Sequence, residues 1–209
     1  TLGFVGSCVV SASGDVDVHL RLPTSQCAPN FAYLMVSDAH DAVAAVPEVG
    51  AVTVVLDEHY TGAEINGAVA EGSGFAGVFP GEDAGELDAL RELFQRKALL
   101  ARQGRVCQAL LDGGAEAEAI VALRVADLPP GHEAARCLEL RRALGLSCDP
   151  DAPGLIAGDG TALAADGLRL WLRRARLVGL SLESNGGLCR SLLRVRYGVE
   201  DPTEQGAFA

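Results

Sequence analysis

The sequence predicts an α+β fold: an N-terminal sandwich of a β-hairpin, a helix and a strand, followed by a mainly α-helical domain. Residues 3–10 carry β-branched residues and residues 16–22 alternate between apolar and polar, which is typical of two strands around a turn. Apolar residues after position 86 recur every three or four positions instead. A Gly-rich, acidic stretch at 72–85 separates the two patterns. We therefore expect domains at 1–71 and 86–209, joined by a linker at 72–85.

The N-terminal domain begins with two strands, at 3–10 and 16–22, around a turn of small residues with a glycine. An amphipathic stripe predicts a helix at 28–45. A third strand at 49–56 follows. Residues 61–71 are expected to form a short helix with a capping box made by Thr61 and the glutamate three residues later.

The C-terminal domain shows mainly helical periodicity, interrupted by glycine and proline. The expected elements are helices at 86–111, 115–125, 132–144 and 166–176, a small hairpin at 155–163, a strand at 177–182 and a last helix from about 184 to 197.

Composition excludes several function classes. The formal net charge is −11 and the pI is about 4.7, which argues against a nucleic-acid binder because that function needs a basic face. No apolar run reaches the roughly 18 residues of a membrane helix, and the first residues lack the basic start of a signal peptide. The chain begins without Met and almost directly in a strand, so we expect residues before Thr1 to be missing.

Six cysteines are present without a C-x-x-C pair, which excludes a zinc ribbon and a thioredoxin motif. With a large core and no signal peptide, reduced thiols in a cytoplasmic protein are expected. Cys27 stands out, because it falls where a strand ends and a helix begins. A helix N-terminus favours an anion and therefore a reactive or metal-binding thiolate. The alternative is a small buried hydrophobe under a turn.

Residues 2–66 carry a recognisable order of motifs: Leu-Gly-Phe-Val, a hairpin, Leu-Arg-Leu-Pro-Thr-Ser-Gln-Cys-Ala-Pro, and a helix that ends at Val-Pro-Glu-Val. This pattern resembles the MIP18 family (DUF59 domain), which includes the SufT and PaaD iron–sulfur assembly proteins. Cys27 falls on that family's characteristic cysteine. Ser25 and Gln26 replace the family's Pro-Gly, and Asp57-Glu58-His59-Tyr60 replaces its Trp-rich end.

The resemblance implies an iron or iron–sulfur cluster assembly factor in which Cys27 holds the metal transiently. We expect Cys189 to be a partner ligand, because it also lies near a predicted helix start, and His59 to be a third. Further candidate residues are Thr24, Ser25, Asn30 and Asn185. A client metalloprotein is the expected partner, and a homodimer is possible.

Two other functions remain open. The chain could be an enzyme of a specialised pathway that uses Cys27 as a nucleophile or in a fixed metal site, with the helical domain completing a pocket. It could also be an accessory protein that binds a diiron monooxygenase without chemistry of its own. A deep closed pocket at Cys27 would favour catalysis, and an exposed loop would favour transfer.

Overall fold

The computed structural model describes residues 2–79 and 84–198. The described elements are, in order, β1 (Val5–Val10), β2 (Val16–Arg21), α1 (Pro29–Ala44), β3 (Val52–Asp57), α2 (Gly62–Glu71), α3 (Gly74–Val78), α4 (Ala84–Asp112), α5 (Ala117–Ala122), α6 (His132–Ala143) and α7 (Leu168–Tyr197). A 3₁₀ turn at Val125–Asp127 lies between α5 and α6. The predicted α+β class, with a small N-terminal sheet and a mostly helical remainder, is confirmed.

The three strands form one sheet in the order β1-β2-β3. β1 and β2 are antiparallel and joined by the predicted turn, in which Gly14 has a φ of 86° that favours glycine. β2 and β3 are parallel, and α1 connects them as a crossover. The ends of β2 and β3 therefore lie side by side, since Arg21 pairs with Asp57.

The alternation in β2 sets the two faces of the sheet. Val16, Val18 and Leu20 are buried, and the intervening residues are partly exposed on the opposite face. Both α1 and α2 pack against β3, and α3 packs against α2. Helical residues buried in this unit include Leu34, Val36, Ile65 and Phe75.

The chain forms two compact units. One unit comprises Thr1–Asp88 together with Asn185–Ala209, and the other comprises Ala89–Ser184. The end of α7 thus belongs to the unit that holds the sheet, although the sequence predicted it as part of the helical domain. Within the predicted linker, residues 74–78 form α3 and bury Phe75, and residues 80–83 lie outside the described ranges.

The helical unit is organised around a buried guanidinium. Arg141 is 1% exposed and donates to the carbonyl oxygens of Pro153 (2.9 Å) and Gly154. Gln103, 2% exposed, contacts Arg141 and accepts from the Ile156 N–H at 2.9 Å. A buried charge is costly unless it is hydrogen-bonded, so these contacts fix the loop before the predicted 155–163 hairpin. That hairpin is present as a single bridge between Ile156 and Ala162.

The predicted strand at 177–182 and the predicted helix start at 184 are wrong, because α7 runs unbroken through both. Gly179 and Gly186 lie where a neighbouring side chain approaches rather than where the helix ends. A Cβ at Gly186 would lie 3.2 Å from Leu2 Cδ2, and one at Gly179 would lie 3.7 Å from Ala101 Cβ. Within the described ranges, no helix combines the length and the apolarity that crossing a bilayer demands.

A substitution at Gly104 of α4 tests how closely this helix packs against Ala175 of α7. A Cβ there would lie 2.6 Å from Ala175 Cβ, and overpacking typically costs about 1–3 kcal/mol. We expect Gly104→Ala to lower the melting temperature by a few degrees, followed by far-UV circular dichroism. The matched change Gly67→Ala meets nothing within 4 Å. It should raise the melting temperature by about 2–4 °C through the helix propensity of alanine. A Gly104→Ala chain as stable as Gly67→Ala would contradict the packing account.

Candidate metal-binding site

Cys27 lies in the loop between β2 and α1, two residues before the first helical residue. The loop closes on itself through Thr24, whose hydroxyl accepts from the Gln26 N–H at 3.3 Å and lies 3.5 Å from Cys27 Sγ. Thr24, Gln26 and Ala28 are exposed, and Cys27 is partly buried. The thiol is therefore carried on an accessible turn at the start of α1, as the sequence predicted.

His59 ties this loop to the end of β3. Its Nε2 lies 2.8 Å from the carbonyl oxygen of Cys27, and its Nδ1 lies 3.3 Å from the Thr61 N–H nitrogen. A carbonyl only accepts and a backbone N–H only donates, so Nε2 carries the proton and Nδ1 accepts. Both ring nitrogens are thus engaged in hydrogen bonds. The ligand role of His59 stays a prediction, and metal binding by this side chain would require one of these bonds to break.

Two further contacts of this segment concern Thr61 and Tyr60. The predicted capping box at Thr61 is wrong, because no side-chain cap is made there and the Thr61 hydroxyl lies 3.1 Å from His59 Nδ1 instead. The Tyr60 N–H donates to the carbonyl oxygen of Ser25 at 3.1 Å. The loop that carries Cys27 is therefore fastened at two backbone positions to the residues after β3.

The polar residues that end β3 point to three different places. Asp57 contacts His19, Glu58 reaches the end of α7, and His59 holds the Cys27 loop. Because their partners differ, these three side chains do not converge on one ion. Across the part of the chain that the structure describes, no three His, Cys, Asp or Glu side chains form a group that could hold a metal.

Glu58 anchors the last turn of α7. Its carboxylate accepts from Arg196 at 2.9 Å and from the Tyr197 hydroxyl at 3.1 Å. Arg196 also donates to the carbonyl oxygens of Leu22 (3.1 Å) and Glu58 (3.2 Å), so it spans the ends of β2 and β3. Glu58 adopts a φ of 51°, an unusual conformation for a residue other than glycine. This strained position directs both its carbonyl and its carboxylate to Arg196.

This anchor brings Cys189 into the same neighbourhood as Cys27. Cys189 lies seven residues before Arg196, which places both on one face of α7, and Leu193 between them is 1% exposed. Burial raises the pKa of the Cys189 thiol, and the nearby Cys27 raises that pKa further. The expectation that Cys189 marks a helix start is wrong, because α7 begins at Leu168. Cys189 instead lies in the interior of this helix, on the face that carries Arg196.

The other predicted site residues differ in their surroundings. Thr24 and Ser25 lie in the Cys27 loop, as described above. Asn30 accepts from the Phe31 N–H at 2.8 Å, so its side chain is engaged at the start of α1. Asn185 is exposed in the interior of α7, where it caps nothing. The functional roles of these four residues stay predictions.

The remaining cysteines are separate from this site. Cys107 and Cys137 are buried, and burial raises the pKa of Cys137 to about 11. Cys148 is partly buried and donates to the Leu138 carbonyl at 3.5 Å. Cys8 is exposed on β1. All six cysteines are free thiols.

Sequence reasoning missed the anchor formed by Glu58, Arg196 and Tyr197. One available signal was the seven-residue interval between Cys189 and Arg196, since residues so spaced share a helix face. That signal applies only if one helix carries both residues. The sequence placed a helix start at 184, just before Gly186 and the adjacent glycine, and did not predict one continuous helix.

A second polar network lies on the open face of the sheet. His19 Nδ1 lies 2.9 Å from Asp57 Oδ1, and Nε2 lies 3.2 Å from Asp17 Oδ1. The hydrogen bond to Asp57 raises the pKa of His19, and the charge of Asp17 adds to this effect. His19 and Asp57 border a depression of about 520 Å³ that is also lined by Arg21, Glu58 and Tyr197. Protonated His19 thus links β2 to β3 beside the anchor.

The His19 network predicts a pH dependence. Its folded pKa lies above the ordinary 6.5, so the stabilisation is complete below that pH. It is lost as pH rises through the raised folded value. We expect an NMR titration of His19 to give a pKa above 6.5, lower in Asp57→Asn and less affected in Asp17→Asn. A His19 titration unchanged by Asp57→Asn would contradict the assignment.

The anchor predicts local rather than global effects. We expect Glu58→Gln to speed hydrogen exchange at the amides of residues 193–197, measured by mass spectrometry. Glu58 is 62% exposed, and exposed ion pairs are worth about 0.2–1 kcal/mol, which corresponds to an increase of up to roughly fivefold. Glu71→Gln, at the exposed end of α2, is the matched control and should leave that exchange unchanged. Equal exchange in both variants would rule the anchor out.

Comparison with known proteins bears on the N-terminal part of the chain. A family model described as "Iron-sulfur cluster assembly protein" matches residues 1–54. No curated protein matches the chain significantly, and no solved structure does. The matched residues include β1, β2, α1 and the loop that carries Cys27. The resemblance inferred from the sequence is thus supported for this segment, and the match does not extend over the helical remainder.

Proposed function

We propose that the protein assembles or delivers iron or an iron–sulfur cluster, and that Cys27 and Cys189 are the thiolates that hold this cargo. The observation that carries the proposal is the match of the iron–sulfur assembly family to residues 1–54, which include Cys27 in an accessible loop. Cys189 is added as its partner because, besides burial, the charge of Cys27 raises the pKa of Cys189. Thiolates are the usual protein ligands of iron–sulfur clusters.

The surroundings of the two thiols suit a transient site. Cys27 lies on an exposed turn, and its backbone is held by His59 and Tyr60. A cluster usually takes about four cysteine ligands, so two thiolates from one chain leave positions for a donor or client protein. Incomplete ligation is what a carrier needs, since its cargo must leave. We infer that His59 positions the Cys27 loop rather than filling the third ligand position.

The raised pKa of Cys189 adds a pH dependence to this proposal. Both thiols must lose a proton when they bind a metal, so binding releases protons and strengthens as pH rises. Burial and the charge of Cys27 raise the pKa of Cys189 in the free protein. A cation between the two thiolates relieves their repulsion. Two adjacent thiols therefore bind iron more tightly at alkaline than at acidic pH.

The enzyme alternative is less well supported. The exposed turn around Cys27 is the geometry expected for transfer. The third function, an accessory protein without chemistry of its own, differs from a carrier in one testable way. Its binding to a metalloenzyme would not need Cys27.

Anaerobic reconstitution with ferrous iron and sulfide tests the proposal. We expect the wild-type chain to bind iron and sulfide, and Cys27→Ser or Cys189→Ser each to reduce the bound iron at least about tenfold, because each removes one of two thiolates. Cys148→Ser, a change of another partly buried thiol in the helical unit, is the control and should bind as wild type. Wild-type iron content in Cys27→Ser would overturn the proposal.

A further inference from the structure

Glu58 connects the sheet to the residues that hold the Cys27 loop. Asp57 before it is the last residue of β3 and is paired with β2. His59 after it belongs to a turn, which is closed by the Gly62 N–H donating to the His59 carbonyl oxygen at 2.9 Å. The backbone angles of Glu58 therefore set the direction in which the chain leaves β3.

The backbone of Glu58 is strained. Among the described residues, only Glu48 and Glu58 combine a side chain with a positive φ, and the φ of Glu58 is 51°. Residues other than glycine rarely adopt this left-handed conformation, because it places Cβ too close to the following carbonyl oxygen. Such a conformation persists only where the surrounding contacts hold it.

Arg196 makes contacts that hold the left-handed conformation. Its guanidinium donates to the carbonyl oxygen of Glu58 at 3.2 Å and to the Glu58 carboxylate at 2.9 Å. A third bond, to the carbonyl oxygen of Leu22 at 3.1 Å, fixes the guanidinium beside the end of β2. A change of φ at Glu58 would rotate its carbonyl group relative to β3. The left-handed conformation and the contact with Arg196 therefore support each other.

The residues that follow Glu58 hold the loop that carries the thiol. His59 Nε2 donates to the carbonyl oxygen of Cys27 at 2.8 Å, and the Tyr60 N–H donates to that of Ser25 at 3.1 Å. Both contacts depend on the direction in which the chain leaves Glu58. The end of α7 and the Cys27 loop are thus fastened to opposite sides of one residue.

We propose that Glu58 is a positioning residue that couples the two thiol-bearing elements. Arg196 holds Glu58 in its left-handed conformation, and that conformation directs His59 to the Cys27 loop. Coupling of this kind needs an element with two discrete arrangements. Here that element is the backbone of Glu58, which is left-handed while Arg196 is bound and relaxes to a negative φ when Arg196 leaves.

The coupling deepens the proposed function, on which its consequence for the cargo rests. When the last turn of α7 detaches, Glu58 relaxes and the Cys27 loop loosens with it. The elements that carry Cys27 and Cys189 are then released together, so a partner that displaces the end of α7 triggers release of the cargo.

Hydrogen exchange of the metal-free full chain tests the coupling, measured by mass spectrometry at the amides of Gln26 and Tyr60. Both N–H groups make the hydrogen bonds that order the loop. We expect Arg196→Met to speed their exchange about threefold, the size expected for losing a partly exposed ion pair. Arg190→Met, at an exposed position of the same helix, is the matched control and should exchange as wild type. Unchanged exchange at these amides in Arg196→Met would overturn the proposal.

Two variants at position 58 separate the backbone conformation from the carboxylate. Glu58→Ala and Glu58→Gly both remove the carboxylate, but glycine adopts a positive φ without the cost that alanine carries. We expect the amides of Gln26 and Tyr60 to exchange about fivefold faster in Glu58→Ala than in Glu58→Gly. The same pair of changes at Glu48, before the start of β3, is the control and should give equal exchange at these amides. Equal exchange in the two variants at position 58 would also overturn the proposal.

Titration with Co(II) connects the coupling to metal binding. Arg196→Met should weaken Co(II) binding about threefold relative to Arg190→Met, because both thiol-bearing elements are then less fixed. Binding as tight as that of the control would contradict the consequence for the cargo. The exchange measurements need no metal, so the coupling and the proposed function can fail separately. Exchange that responds as expected in a chain that binds no Co(II) would overturn the proposed function alone.

Discussion

The carboxylate of Glu58 makes the contacts on which the candidate site depends. It binds Arg196 and Tyr197 in the last turn of α7, and Arg196 also reaches the carbonyl oxygen of Leu22 at the end of β2. A parallel pair of strands makes this possible, because β2 and β3 end side by side. The end of a helix that begins at Leu168 is thereby held in the unit that contains the sheet. The same helix face presents Cys189 near Cys27.

Burial and neighbouring charges shift the pKa values of Cys189 and Tyr197. Burial raises the pKa of Cys189 and the charge of Cys27 raises it further, so two negative charges at these thiols disfavour each other. Two guanidinium groups lie over the Tyr197 ring. Arg196 Cζ lies 5.0 Å and Arg21 Cζ lies 5.1 Å from the centroid of that ring, so positive charge surrounds Tyr197. Burial and the Glu58 hydrogen bond raise the pKa of Tyr197, so its hydroxyl remains a donor to Glu58 at neutral pH.

Local patterns predicted most of the N-terminal unit. The alternation in Val16–Arg21 and the proline at the start of α1 defined the strands, the turn and the helix that carry Cys27. The sequence could not show that α7 continues through Gly186, because glycine ends a helix in one context and permits close packing in another. It therefore misplaced the start of the last helix. The contacts of Glu58, His59 and Arg196 join residues far apart in the chain, which no local pattern records.

The central claim is that Cys27 and Cys189 form one two-thiolate site. Anaerobic titration with Co(II) tests it most directly, because thiolate-to-cobalt charge-transfer absorption grows with the number of thiolates bound. The wild-type chain should show the intensity of two thiolates per cobalt, and Cys27→Ser and Cys189→Ser should each show about half of it or none. A spectrum from Cys189→Ser identical to that of the wild type would contradict the claim.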